Sequence, residues 1–122
     1  MLQRSGPTFL TTTENQLTGY RILERMGVVR GITVRSRSVV GFIGAKLQQL
    51  LGGEISLLAE LCEQTRAEAF ALAVDHAKAL GANALVAIRY DATEIMSGVS
   101  EVLCYGTAVG VVAERGEQKV DA

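Results

Sequence analysis

The chain has 122 residues, of which 48% are apolar and 20% are charged. This length indicates a single domain, residues 1–122, and the apolar content excludes an intrinsically disordered chain. Because 12 Lys and Arg residues nearly balance 13 Asp and Glu residues, the composition indicates neither a basic nucleic-acid-binding protein nor an acidic solvating tail.

The N-terminal part of the chain predicts β-structure. Residues 8–13 are rich in Thr and are preceded by Pro7, a pattern typical of a short strand followed by a turn. Residues 19–34 form a second β-rich stretch, in which Gly27 and Gly31 indicate bends or bulges. This stretch is either one long bent strand or a hairpin.

Two helices are predicted in the middle of the chain. The first begins at Ser38, whose hydroxyl is a suitable N-terminal cap, and ends at Gly52 and Gly53. The second extends from Glu54 to Leu80 and has the clearest helical period of the chain. Its apolar stripe is expected to be buried and consists of Leu58, Leu61, Cys62, Thr65, Ala69, Leu72, Ala73, His76 and Leu80.

Two further strands are predicted at residues 84–95 and 102–112. Alternation in the first of them places Val86, Ile88 and Tyr90 on one face and Arg89, Asp91 and Thr93 on the other. The second is nearly free of charge on both faces, so we expect both faces to be covered. Residues 114–122 are polar and are expected to be a frayed tail, which leaves residues 8–113 as the ordered core.

The element order ββααββ predicts an α+β fold with an antiparallel sheet and the helices on one face. In a lone subunit of this kind, the other face of the last strand would be bare. A second copy of the chain is the simplest cover for that face. We therefore expect a homo-oligomer.

The cysteine content and the start of the chain predict a cytoplasmic protein. Two cysteines cannot build a disulfide framework, and they suit a reducing compartment. Residues 1–7 lack the apolar core of a signal peptide, and no apolar run is long enough for a membrane span. We expect neither a membrane nor a nucleic acid among the partners.

The residue types that bind soft metals are Cys62, His76 and Cys104. Cys62 and His76 share a helix face but lie about 21 Å apart along the helix axis, so they cannot hold one ion within one chain. Buried, unreactive thiols are the favoured interpretation, and the alternative is a metal site completed across subunits, for which Cys104 is a weak candidate. His76 is expected to be a hydrogen-bonded interior or interface residue rather than a ligand or base.

Arg30, Arg35 and Arg37 gather just ahead of the first predicted helix. Guanidinium groups beside a helix start are suited to a phosphate or carboxylate. A solvated or subunit-facing loop is the favoured interpretation of the three arginines, and anion binding is the alternative.

Three carboxylates, Asp91, Glu94 and Glu101, lie around the last hairpin turn. Their oxygens suit a hard cation, but they do not match the spacing of a single-loop calcium site, so a solvated hairpin end is favoured. The chain also lacks the GxSxG, HExxH and CxxC motifs, so no catalytic residue is assigned and no enzyme is predicted.

Seven short motifs are spread over residues 9–113: Thr11-Thr12-Thr13-Glu14, Gly19-Tyr20-Arg21-Ile22, Gly27-Val28-Val29-Arg30-Gly31, Gly52-Gly53, Arg66-Ala67-Glu68-Ala69, Leu80-Gly81-Ala82-Asn83-Ala84 and Tyr105-Gly106-Thr107-Ala108-Val109. In their order and spacing they resemble the YbjQ-like family. The resemblance implies an α+β subunit that assembles into a closed ring, typically a homopentamer, in bacteria and archaea. It also implies heavy-metal binding, hence a divalent metal as a cofactor, although the family offers no fixed Cys and His ligand set to transfer.

Three functions compete. The first is a ring-forming module that binds a metal or a small ligand, since a ring repeats each side chain and so completes by symmetry a ligand set that is incomplete in one chain. The second is a purely structural or partner-docking ring. An enzyme is the third, and it ranks last because the single histidine lies on a presumed core stripe.

Overall fold

The computed structural model of the chain describes residues 8–36 and 54–114, with side chains from residue 59 onward in the second range. Its elements are β1 (Leu10–Thr11), β2 (Tyr20–Ser36), α1 (Glu54–Ala79), β3 (Ala84–Met96) and β4 (Val99–Ala113). The α+β class is confirmed, and residues 19–34 form one long strand rather than a hairpin. The first predicted helix, from Ser38 to Gly53, lies outside the described residues.

The four strands form one mixed sheet in the order β1-β3-β4-β2. β4 pairs antiparallel with β2 and with β3, whereas β1 pairs parallel with β3, with Leu10 beside Ala84. The prediction of an antiparallel sheet is therefore wrong at β1. A parallel pair needs a long crossover connection, and β2 and α1, which lie between β1 and β3 in the sequence, provide it.

Helix α1 packs on one face of the sheet through its small residues. Ala69, Ala73 and Ala77 are fully buried, and opposite them β2 carries Gly31. A Cβ atom at Gly31 would lie 2.5 Å from the backbone nitrogen of Ala73 and would overlap the carbonyl oxygen of Ala69. The backbones of α1 and β2 are thus close because neither carries bulk at the contact.

This close approach corrects the predicted stripe of α1. The buried line follows the alanines, and four residues that were expected in the core are exposed: Cys62, Leu72, His76 and Leu80. The helical period was right, but its buried centre is rotated toward the small residues that Gly31 admits. Within residues 8–36 and 54–114, no helix combines the length and apolarity of a membrane span.

Strand β3 contains a bulge at Ala87. This residue has a φ of 57°, and its N–H donates to the carbonyl oxygen of Glu14 at 2.8 Å instead of entering the pairing with β4. As a result, Leu85 and Ile88 both lie in the core beneath α1, while Val86 belongs to a second apolar cluster. The prediction that Val86 and Ile88 share a face is wrong, because regular alternation was assumed.

The two edges of the sheet differ in how far their backbone groups are paired. Beside β3, the N–H of Thr12 donates to the carbonyl oxygen of Leu85 at 3.1 Å, and the N–H of Ile88 donates to that of Thr12 at 3.2 Å. β2 has no strand on its outer side in the part of the chain that the structure describes. β2 is therefore the open edge of the sheet.

Candidate functional site

The three soft-metal ligand types do not converge in one chain. Cys62 and His76 are exposed at separate turns of α1, and Cys104 is buried in β4. No group of three or more His, Cys, Asp or Glu residues that could hold a metal ion occurs among the described residues. The residues described in a single chain therefore do not fit a heavy-metal site, which needs about four such ligands around one ion.

Cys104 lies in the core beneath α1, beside Ala73 and Ala108. Burial raises the pKa of the Cys104 thiol, and a hydrogen bond from Tyr90 opposes that shift only in part. Burial therefore disfavours the thiolate, which is the form that binds metals. The assignment of Cys104 as a weak metal candidate stays a prediction, with this burial as its main obstacle.

His76 is hydrogen-bonded but is not an interior residue. Its Nδ1 accepts the backbone N–H of Arg30 at 3.2 Å, and its side chain is exposed. Arg30 belongs to β2, so the imidazole satisfies a backbone N–H on the open edge of the sheet. Cys62 likewise differs from the expectation of a buried thiol, since it is exposed.

The two described members of the predicted arginine group, Arg30 and Arg35, lie on opposite faces of the sheet. Arg30 is exposed and lies beside Tyr105 on the sheet face away from α1. Arg35 points to the other face, where its Nη2 contacts the Oε1 of Glu68 at 2.6 Å. This hydrogen bond from Arg35 lowers the pKa of Glu68. Arg37 lies outside the described residues.

Two of the three carboxylates near the last hairpin accept hydrogen bonds from nearby backbone N–H groups. Asp91 Oδ1 accepts the N–H of Ala92 at 3.0 Å, and Glu94 Oε2 accepts the N–H of Gly98 at 3.0 Å. Glu101 pairs with Thr93 across the strands. These contacts are those of a hairpin end, and the three carboxylates form no metal-binding group in the described part of the chain.

A cavity of about 200 Å³ lies between the N-terminal half of α1 and the strand ends near the β3–β4 hairpin. It is lined by Arg35, Leu61, Cys62, Thr65, Arg66, Ala92, Ser100 and Val102. The Arg66 guanidinium carbon lies 5.6 Å from the ring centre of Tyr90. Sequence reasoning missed this site because four elements contribute to it and no local motif marks it.

A second feature is the open edge of the sheet. Val28, Ile32 and Val34 of β2 are 64%, 43% and 50% exposed, and Leu72 of α1 is 47% exposed. We call these four side chains the β2 edge surface. Ile32 and Leu72 line a shallow groove along it, together with Gly31, the imidazole of His76 and the charged residues Arg30 and Asp75.

The chain matches one protein family over most of its length. The profile of the YbjQ family, described as "Putative heavy-metal-binding", matches residues 9–112. A UPF0145 protein of Solibacter usitatus is 58% identical over 106 residues, which are 87% of this chain and 95% of that protein. UPF0145 proteins of Burkholderia mallei and Burkholderia pseudomallei are 57% identical over 103 residues, which are 84% of this chain and 93% of each relative.

A solved structure has the same fold. It is the crystal structure of a protein of unknown function from Pediococcus pentosaceus, described as a member of the DUF74 family, with a TM-score of 0.56 and 19% sequence identity. The match covers 85% of this chain and 98% of that one. Because the family profile matches most of the chain and the relatives exceed 50% identity, this chain belongs to the YbjQ family.

Proposed function

We propose that this protein is the subunit of a homo-oligomeric ring, most simply a pentamer, that acts in the cytoplasm as a binding module for a small ligand. The observation that carries the proposal is the β2 edge surface. It combines a strand edge that is unpaired within residues 8–36 and 54–114 with exposed apolar side chains on the same strand and on the adjacent helix. Natural monomers avoid this combination, because it invites association.

A second copy of the chain is the favoured occupant of the β2 edge surface. The edge of β2 is long, extending from Tyr20 to Ser36. It carries no lysine, a residue that often blocks strand addition, and it presents exposed aliphatic side chains on either side of the exposed Arg30. Among the described residues, His76 binds the backbone N–H of Arg30 and Arg35 binds the carbonyl oxygen of Val34. The resemblance to the family supports a closed ring, in which one contact between two different surfaces is repeated around a symmetry axis.

Mutation of Ile32 tests the assembly. We expect the wild-type protein to have the mass of about five 13.0 kDa chains in native mass spectrometry and Ile32→Glu to shift to monomers, because burial of the new carboxylate in the contact costs its hydration. Ile95→Glu is the matched control, since Ile95 is 51% exposed on β3, two strands away from β2. A wild-type monomer at micromolar concentration would refute the ring, and a monomeric Ile95→Glu would refute the assignment of its surface.

Metal binding in this ring requires ligands from several subunits. Each chain offers two thiols and one imidazole that lie apart, with Cys104 buried. We therefore expect zinc titration, followed by calorimetry, to show no binding tighter than about 1 μM, because a closed zinc site needs about four ligands at one point. Submicromolar binding that is lost in Cys104→Ser but kept in Cys62→Ser would overturn this expectation and assign Cys104 as a ligand.

A further inference from the structure

The cavity beside the N-terminal half of α1 has an unbalanced charge. The two charged side chains among the residues that line it are Arg35 and Arg66. Arg35 is already engaged, since its Nη2 contacts Glu68 at 2.6 Å and its Nη1 donates to the carbonyl oxygen of Val34 at 3.2 Å. Arg66 contacts the ring of Tyr90, and the salt bridge found among the described residues joins Arg35 to Glu68 and leaves Arg66 out.

The position of Arg66 leaves its hydrogen-bond donors free for a ligand. A guanidinium held over an aromatic ring is attracted through its charge, and its N–H groups remain able to bind a carboxylate in a two-point arrangement. Glu68 is held by Arg35 through the salt bridge, and Glu63, one turn before Arg66, acts on Tyr90 through its charge without forming a salt bridge to Arg66 among the described residues. Of the two arginines at the cavity, Arg35 is thus bound to Glu68, whereas Arg66 can bind a ligand.

The aliphatic walls of the cavity favour a ligand that is apolar apart from the group bound by Arg66. Leu61 of α1 and Val102 of β4 form its aliphatic sides, and Ala92 adds a methyl group. Beside this wall, Thr33 pairs with Val102 in the sheet, and its buried Oγ1 has no hydrogen-bond partner in the described part of the chain. The cavity volume of about 200 Å³ is below the range typical of drug-sized ligands, so the ligand is small.

We propose that this cavity binds a small monocarboxylate with an apolar body, with the carboxylate on Arg66 and the body against Leu61 and Val102. This proposal rests on the proposed function and names its ligand class. A hydrated dianion such as phosphate fits less well, because only one arginine is available and burial of charge against aliphatic walls is unfavourable. Cys62 lies at the same cavity and is exposed, so it reports on occupancy.

Benzoate is a suitable probe for calorimetric titration of the full-length protein. We expect it to bind the wild type and to bind Arg66→Met at least about tenfold more weakly, because the charged hydrogen bonds are lost. Arg25→Met is the matched control, an exposed arginine of β2 outside this cavity, and its affinity should equal that of the wild type. Benzoate should also slow the alkylation of Cys62 by iodoacetamide, as followed by mass spectrometry.

The outcomes separate this proposal from the proposed function. Absence of benzoate binding and of Cys62 protection would overturn the carboxylate site, and so would inorganic phosphate that binds as tightly as benzoate. Native mass spectra of the same samples decide the assembly independently. If the ring is intact but does not bind benzoate, only the cavity proposal is refuted. If the protein is monomeric and binds benzoate, only the ring is refuted.

Discussion

A Gly31→Val variant is expected to lose about 3 kcal/mol or more of folding free energy, since overpacking of this kind costs more where the backbone itself must move. Any side chain at Gly31 would overlap the backbone of α1 at Ala69 and Ala73. The helix must then move away from β2, which opens the core along the whole line of buried alanines. Urea denaturation followed by circular dichroism measures the loss as a lower midpoint.

Gly110→Ala is the control for this variant. A Cβ atom at Gly110 would lie 3.4 Å from the terminal methyl group of Met26, which is the far end of a flexible side chain. We expect a change within about 0.5 kcal/mol, as for most substitutions that meet no rigid neighbour. Wild-type stability of Gly31→Val would show that α1 does not pack on β2 as described.

An Ala108→Glu variant is expected not to fold to a stable subunit. Ala108 is fully buried in the central strand β4 and belongs to the core beneath α1. A carboxylate there has no partner and loses its hydration, so the cost exceeds the range of about 0.5–3 kcal/mol that is usual for single substitutions. Thermal unfolding and the yield of folded protein measure the effect.

Ala113→Glu is the matched control, because Ala113 ends the same strand and is exposed. It should keep the melting temperature of the wild type. If Ala108→Glu melted at the same temperature as Ala113→Glu, the core beneath α1 would be wrongly assigned. Together the two variants separate the effect of burial from that of the added charge.

Most elements of the fold could be predicted because their signals are local. The apolar alternation of β4 and the helical period of α1 depend on residues a few positions apart, and both elements are present. The parallel pairing of β1 could not be predicted, because it depends on a contact between Leu10 and Ala84 that leaves no local pattern. The buried line of α1 also depends on a distant residue, Gly31.

The site was less predictable than the fold, for similar reasons. Helix geometry was sufficient to separate Cys62 from His76, since a fixed rise per residue sets their distance. Strand geometry would also have separated Arg30 from Arg35, because residues an odd number of positions apart on one strand face opposite sides. The pairing of Arg66 with Tyr90 joins a helix to a strand, and no spacing in the sequence indicates it.

The bulge at Ala87 determines where a residue can be deleted from β3 without disturbing the core. If this sequence paired with β4 without an extra residue, Arg89 would turn toward α1. A chain that lacked Ala87 itself would keep the present arrangement, because the residues that remain alternate regularly from Leu85 through Ile88 to Tyr90. Deletion of a residue between Arg89 and Glu94 would instead reverse the side chains that follow it, up to the second register shift between Glu94 and Met96. β3 can therefore lose Ala87 without a change in the core, because at this position the strand already carries one residue more than β4.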